Sequence, residues 1–92
     1  MVEHVQGKNA GNVMLYALST CGWCRKTRQL LEELSVAYDY EYVDLTTGER
    51  RTAVMDEVRR WNPVQTFPTI IVNGNVIIGF REDEIRRSLR ND

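Results

Sequence analysis

The chain has 92 residues, of which 42% are hydrophobic and 27% charged, and its formal net charge is −1. A chain of this length forms one small domain around a single core, which excludes multidomain machinery. Its 12 basic and 13 acidic residues leave no basic excess, so we expect no binding to nucleic acid.

The first eleven residues carry no charged-then-apolar signal pattern, and they are rich in glycine and asparagine. We therefore expect residues 1–11 to be a flexible N-terminal leader and residues 12–92 to be the folded domain. The longest apolar run, residues 13–18, is far shorter than the roughly 20 residues of a membrane span. These features predict a cytoplasmic protein with no membrane association.

The first half of the domain shows a strand, a helix and a second strand. Residues 13–18 are almost continuously apolar, which predicts a strand that is buried on both faces. Residues 23–34 carry good helix formers and an apolar stripe, which predicts an amphipathic helix. Residues 38–44 begin with strict alternation, which predicts a half-buried strand with three tyrosines on one face and acids on the other.

The second half adds a helix, a hairpin and a last helix. A helix is predicted to start near Gly48 and to end at Asn62-Pro63, with its arginines mostly facing water. The runs 69–72 and 76–78 flank an Asn-Gly turn, which predicts a β-hairpin. Residues 82–90 have acidic residues first and arginines last, an order that the helix dipole favours, so we predict a last helix here. The order β-α-β-α-β-β-α predicts an α/β fold with a mixed four-stranded sheet and three helices.

Two cysteines, Cys21 and Cys24, stand where the first strand meets the first helix. Cys21 lies at the predicted helix start, where free backbone N–H groups and nearby basic residues favour an anion, so we expect it to be the attacking thiolate. Cys24 lies on the apolar stripe, where burial favours the neutral thiol, so we expect it to be the resolving cysteine. This pattern predicts thiol–disulfide exchange through a mixed disulfide.

Two further residues near this pair are candidates for contact with a substrate. Trp23 lies between the cysteines, where it is interpreted either as a contact surface for substrate or as an ordinary exposed aromatic residue at a helix start. Pro68 has no N–H to give to a sheet, so it marks the first residue of a strand and leaves the backbone of Phe67 available for a substrate chain.

Three motifs together resemble the glutaredoxin family of the thioredoxin fold. They are Cys21-Gly22-Trp23-Cys24 after an apolar strand, Thr66-Phe67-Pro68 before a hairpin, and Gly79-Phe80-Arg81-Glu82-Asp83 at the last helix. The resemblance covers about residues 12–91. It implies that Pro68 is the cis-proline of the family, packed against the cysteine pair, and that Thr66 and Phe67 bind substrate.

The resemblance leaves the reductant open. The family's lysine three residues before the first cysteine is replaced by Leu18, and its Gly-Gly-x-Asp-Asp segment is replaced by residues 79–83. This last segment is more similar to that of ribonucleotide-reductase-associated redoxins, which are reduced by thioredoxin reductase. The last helix start, with Arg81, Glu82 and Asp83, is the candidate site for glutathione or another anionic small thiol such as coenzyme M.

Two other classes of function compete with this interpretation. In the first, metal binding, the two thiolates would form half of a tetrahedral zinc site, or they would ligate an iron–sulfur cluster in a dimer. One chain alone lacks four good ligands for either metal group. The fold also serves non-catalytic interaction domains, whose cysteines would be inert. We expect a monomeric oxidoreductase without a bound metal or organic cofactor, acting on disulfide-containing proteins.

Overall fold

The computed structural model describes residues 2–90, which form eight main elements. In chain order these are β1 (Glu3–Val5), β2 (Val13–Ala17), α1 (Gly22–Glu33), β3 (Tyr38–Tyr42), α2 (Gly48–Trp61), β4 (Thr69–Val72), β5 (Asn75–Ile78) and α3 (Glu82–Ser88). A short 3₁₀ turn, Val43–Leu45, follows β3. The α/β class, the three helices and the predicted order from β2 onwards are confirmed. Within this part of the chain, no helix is long and apolar enough to cross a membrane.

The strands form one mixed sheet in the order β1-β3-β2-β4-β5. β2 and β3 are parallel, whereas β2 pairs antiparallel with β4 and β4 pairs antiparallel with β5. The carboxyl ends of β2 and β3 and the beginning of β4 therefore lie at the same edge of the sheet. This edge brings the cysteine segment and the proline segment together, as expected of ligand sites in such sheets.

The predicted count of four strands is wrong by one, because the sheet has five. The additional strand, β1, comes from the segment expected to be a flexible leader, and it pairs antiparallel with β3 through Glu3 opposite Tyr40 and Val5 opposite Tyr38. His4 also contacts Asp39 through its Nδ1 atom at 2.7 Å. Three residues with one apolar side chain give no periodic signal, so pairing with β3 stabilises a strand that the local sequence does not indicate.

The core lies on both faces of the sheet. β2 alternates between them: Leu15 and Ala17 pack in the cluster under α1 and α3, and Tyr16 packs in the cluster under α2. Each fully buried aliphatic side chain stabilises the fold by about 1.5–3 kcal/mol. Because both faces of β2 are covered, the strand that precedes Cys21 is held firmly in place.

One acidic residue departs from the predicted pattern of β3. The tyrosines Tyr38, Tyr40 and Tyr42 share the face toward α1 as predicted, but Glu41 on the opposite face is only 1% exposed. Arg50 of α2, expected to face water, forms an ion pair with Glu41. Burial would raise the pKa of Glu41, but the hydrogen bond and charge of Arg50 help to hold it below the ordinary value. A tertiary partner thus explains the buried carboxylate.

Candidate active site

Cys21 occupies the N-cap position of α1, directly after the segment that leaves β2. Its Sγ accepts a hydrogen bond from the backbone N–H of Cys24 at 3.2 Å, and its own N–H donates to the carbonyl of Leu18 at 3.2 Å. The side chain is partly exposed. An accessible sulfur at a helix N-terminus that already receives an N–H is well placed to react with a disulfide from solution.

Cys24 lies one turn further along α1, inside the core, and is only 1% exposed. Burial and its hydrogen bond with the Cys21 side chain raise the pKa of Cys24 to about 12. Cys24 therefore stays a neutral thiol at physiological pH. The two cysteines differ in accessibility as the sequence predicted, while their roles in exchange remain a prediction.

The segment before Cys21 is anchored to the end of β3. Asp44 accepts a hydrogen bond from the backbone N–H of Ser19 at 2.8 Å and another from the Ser19 hydroxyl. These two bonds lower the pKa of Asp44. The Ser19–Asp44 contact ties the turn that carries Cys21 to the neighbouring strand, and sequence reasoning missed it because the two residues are distant in the chain.

A groove of about 220 Å³ opens on one side of Cys21, and we call it the polar groove. It is lined by Leu18, Ser19, Cys21, Arg25, Arg28, Gln29, Glu32 and Tyr42. Two guanidinium groups face one carboxylate there, so the groove carries net positive charge.

Arg28 is fixed in this groove by the tyrosines of β3. It donates to the hydroxyl of Tyr38 at 3.0 Å and to that of Tyr42 at 2.8 Å, and its Cζ atom lies 3.9 Å from the ring centre of Tyr40. Glu32 accepts hydrogen bonds from Arg28 at 3.2 Å and from the Tyr38 hydroxyl at 2.7 Å. The sequence predicted a tyrosine face and a basic first part of α1, but not that they form one cluster.

An aromatic surface lies on the other side of the cysteine pair, and we call it the aromatic face. It surrounds a depression of about 180 Å³ lined by Trp23, Phe67, Pro68, Gly79 and Phe80. Trp23 is 58% exposed, and its ring stacks on Phe80 with centroids 5.7 Å apart. Gly79 adopts φ +86°, which favours glycine, in the turn that leads to Phe80.

The peptide bond between Phe67 and Pro68 is cis, as the resemblance implied. The preceding segment is held by Asn62, which is fully buried at the end of α2. Its Nδ2 lies 3.0 Å from the carbonyl oxygen of Thr66 and 3.0 Å from Oγ1 of Thr69, which itself donates to the Thr66 carbonyl at 2.7 Å. Sequence reasoning placed Asn62 only at a helix end and missed this role in positioning.

The residues predicted at the last helix lie at its exposed start. Arg81 is the N-cap residue of α3, and its side chain is 68% exposed and lies 3.8 Å from Glu84. Glu82 forms an ion pair with Arg86 at 2.8 Å, and Asp83 is exposed. These side chains line neither the polar groove nor the aromatic face, so their predicted contact with a small thiol stays a prediction.

The described residues 2–90 contain no preformed metal site. In this range, no group of three or more histidine, cysteine, aspartate or glutamate side chains is arranged to hold a metal ion. Cys21 and Cys24 stand together without a third such ligand there.

Comparison with known proteins identifies the family. The model of the glutaredoxin family matches residues 13–77. The structure of glutaredoxin from Methanosarcina mazei Go1 is similar with a TM-score of 0.89 and 48% identity, covering 98% of this chain and 88% of that one. Methanoredoxin from Methanosarcina acetivorans has a TM-score of 0.88 and 42% identity, covering 92% and 90% of the two chains.

A curated relative is the uncharacterized glutaredoxin-like 8.6 kDa protein in the rubredoxin operon of Clostridium pasteurianum, which is 29% identical over 79% of this chain and 91% of that protein. The family model covers well over half of the chain, and it includes both cysteines and the proline segment. This chain therefore belongs to the glutaredoxin family and is a thiol–disulfide oxidoreductase.

Proposed function

We propose that this protein is a dithiol reductase of protein disulfides, with Cys21 as the nucleophile and Cys24 as the resolving thiol. The observation that carries the proposal is the contrast between the two sulfurs: Cys21 is partly exposed at a helix N-terminus, whereas Cys24 is buried with a raised pKa. An external disulfide has access only to the first sulfur.

The proposed reaction has two exchange steps. The Cys21 thiolate attacks one sulfur of the substrate disulfide, forming a mixed disulfide and releasing the other substrate sulfur as a thiolate. Cys24 then loses its proton and attacks Cys21, which closes the Cys21–Cys24 disulfide and releases the second substrate thiolate. The substrate gains the two electrons that the cysteine pair loses, and its two thiolates take up the proton of Cys24 and one proton from water.

The aromatic face is the proposed contact surface for the substrate protein. Trp23 offers a large exposed ring beside Cys21, and the cis peptide segment presents the backbone of Phe67 at the beginning of β4. Aromatic side chains commonly carry a large share of protein-binding energy. Thr66 contributes mainly by positioning Phe67, because its carbonyl oxygen and hydroxyl already face Asn62.

Glutaredoxins generally take electrons from glutathione or another thiol. We propose that a small thiol, rather than thioredoxin reductase, regenerates the reduced pair in this protein. The polar groove supports a small reductant because it adjoins Cys21 and has room for a small molecule. The reaction requires a reducing compartment, which agrees with the expected cytoplasmic location.

The test is turnover of a model protein disulfide, with insulin as substrate and dithiothreitol as reductant. We expect Cys21→Ser to abolish turnover, because no accessible nucleophile remains. We expect Cys24→Ser, reduced first and then mixed with insulin after dithiothreitol is removed, to accumulate a covalent adduct with the substrate, visible by mass spectrometry, because the mixed disulfide is not resolved. Equal turnover by the wild type and both variants would contradict the proposal.

The reductant is tested in the same assay. Glutathione or another small thiol should replace dithiothreitol, whereas NADPH with thioredoxin reductase should support much slower turnover. The opposite ranking would assign the protein to the redoxins that depend on thioredoxin reductase, while the roles of Cys21 and Cys24 would stand.

A further inference from the structure

A second cavity lies where α1 and α3 end, and we call it the distal pocket. Its volume is about 330 Å³, which falls in the range of small-molecule sites, from about 300 Å³ upward. Cys21 stands at the other end of α1, whose 12 residues span about 18 Å at 1.5 Å per residue. The distal pocket is therefore separate from the cysteine pair and from both surfaces beside it.

Part of the distal pocket is apolar. Val36 and Leu89 line it and belong to the buried core, and Leu34 lines it while packing against that core. These side chains are held by their neighbours in the core, so they present a fixed aliphatic surface. A ligand that lies on this surface removes its own apolar atoms from water, which favours binding.

The backbone holds the side of the pocket that carries Lys8. The N–H of Lys8 donates to the carbonyl of Ser35 at 2.8 Å, and the N–H of Ala37 donates to the carbonyl of Lys8 at 2.8 Å. A Cβ atom on Gly7 would lie 2.6 Å from the carbonyl carbon of Val36, so this close approach of two backbones requires glycine. The segment before β2 is thus fixed against the turn that follows α1.

The charged side chains of the pocket are all basic. Lys8, Arg86 and Arg90 line it, and none of its lining residues in the described chain is acidic. The guanidinium of Arg86 already binds Glu33 and Glu82, each at 2.8 Å. Lys8 and Arg90 are exposed, and neither forms an ion pair within residues 2–90. Two cations without a counter-charge therefore stand beside the aliphatic surface.

The ends of the two helices do not account for these cations. Basic side chains often lie near a helix C-terminus because they bind its last carbonyl groups. Here backbone groups take that place: the N–H of Ser35 donates to the carbonyl of Glu32 at 3.0 Å, and the N–H of Leu89 donates to that of Ile85 at 3.1 Å. The ammonium and the guanidinium are thus available to an anion from solution.

We infer that the distal pocket binds a small amphiphilic anion, a carboxylate on a short apolar chain. Lys8 and Arg90 hold the carboxylate through charge-assisted hydrogen bonds, and the aliphatic surface of Leu34, Val36 and Leu89 covers the chain. Both parts are needed, because the cations alone do not select an apolar ligand and the aliphatic surface alone does not select an anion. The inference goes beyond the proposed function, since neither cysteine takes part.

The test uses hexanoate as the probe and three matched ligands: 1-hexanol, hexylamine and acetate. Binding to the 15N-labelled protein is followed at pH 7 by the amide NMR signals. We expect hexanoate to bind about tenfold more tightly than 1-hexanol or acetate, with the largest shifts at Leu34, Val36 and Leu89. Hexylamine, whose charge is repelled by the two cations, should bind more weakly than 1-hexanol.

The decisive variant combines Lys8→Gln with Arg90→Gln. It should weaken hexanoate about tenfold, to the level of 1-hexanol, and leave the affinity for 1-hexanol unchanged. Each single substitution should cause a smaller loss. The matched control combines Arg51→Gln with Arg87→Gln, which removes the same charge from exposed positions outside the pocket and should leave hexanoate binding unchanged.

Three results would overturn the inference. They are equal affinity for hexanoate and 1-hexanol, an equal loss in the pocket variant and the control variant, and shifts centred on Trp23 and Phe80, which would place the ligand on the aromatic face. Turnover of insulin with dithiothreitol tests the proposed function separately, and the pocket variant should retain it. Loss of that turnover in the wild type would leave hexanoate binding untouched.

Discussion

The two sides of the cysteine pair are built from different chemistry. The polar groove joins basic residues of α1 to tyrosine hydroxyls of β3, whereas the aromatic face joins the ring of Trp23 to those of Phe67 and Phe80. A small anion gains from the first, and an apolar protein surface gains from the second. Under the proposed function, this difference lets one sulfur react with two kinds of partner, each approaching from its own side of the cysteine pair.

The largest expected effect concerns the sulfur that both sides share. With a pKa of about 12, Cys24 forms about a thousandfold less thiolate near pH 8 than a cysteine at the ordinary value of 9.0. In the reduced protein, iodoacetamide should therefore label Cys21 long before Cys24. Mass spectrometry of the labelled protein measures both rates.

The pH profile sharpens this prediction. Labelling of Cys24, followed alone in Cys21→Ser, should keep increasing from pH 7 to pH 10 without levelling off near pH 9, because burial, the largest cause of its raised pKa, remains in this variant. Rapid labelling of Cys24 at pH 7 would show that its sulfur is open to solvent, and it would remove the distinction between the two cysteines.

The second prediction breaks the aromatic face. Trp23→Ala combined with Phe80→Ala should lower kcat/KM for insulin about tenfold, because the stacked pair and its apolar contact surface are lost. Reduction of the oxidised protein by 2-mercaptoethanol should change little. Val2→Ala, which shortens an exposed apolar side chain outside the aromatic face, serves as the control. Equal losses with insulin and with the small thiol would show that the face does not distinguish the two partners.

The third prediction concerns the support beneath the aromatic face. Asn62→Ala leaves the Thr66 carbonyl and the Thr69 hydroxyl without their amide donor, so we expect it to destabilise the fold by about 1–3 kcal/mol. The variant should also lose several-fold in kcat/KM with insulin at a temperature where it is folded. Urea unfolding gives the stability. Asn75→Ala, at an exposed position of β5, should be nearly neutral.

The smallest expected effect lies at the turn before Cys21. The Ser19 bonds hold the pKa of Asp44 below its ordinary value of 3.8, so ionised Asp44 stabilises the fold above that pH and the contribution is lost as the pH falls below it. Asp44→Asn should therefore lower Tm by a few degrees at pH 7. The difference from the wild type should shrink below pH 4, and a pH-independent difference would contradict this assignment.

Much of the fold follows from the sequence because its signals are local. The apolar run of β2, the alternating tyrosines of β3 and the Asn-Gly turn between β4 and β5 each reflect a periodicity or a turn preference within a few residues. The positions of Cys21 at the start of α1 and of Cys24 on its buried side follow from the same kind of local signal, whereas their roles stay a prediction. Their spacing and the helix start are both visible in one short segment.

The missing features depend on contacts between distant segments. Glu41 is buried because Arg50, nine residues away, reaches its carboxylate, and Asp44 reaches Ser19 across 25 positions. The network of Asn62 appears only when the turn after α2 is folded. Single-sequence patterns assign such polar residues to the surface, because they contain no information about the partner that satisfies them.

The short strand β1 also affects how the molecule behaves toward its neighbours in solution. Without it, β3 would be an outer strand with three tyrosines and a row of free backbone N–H and C=O groups, which is a template for intermolecular pairing and aggregation. β1 covers that row with only three residues, and two of them, Glu3 and His4, are polar and exposed. A short edge strand with polar side chains has few backbone groups with which a second chain can form β-sheet hydrogen bonds. β1 therefore protects the tyrosine-rich edge of the sheet from self-association.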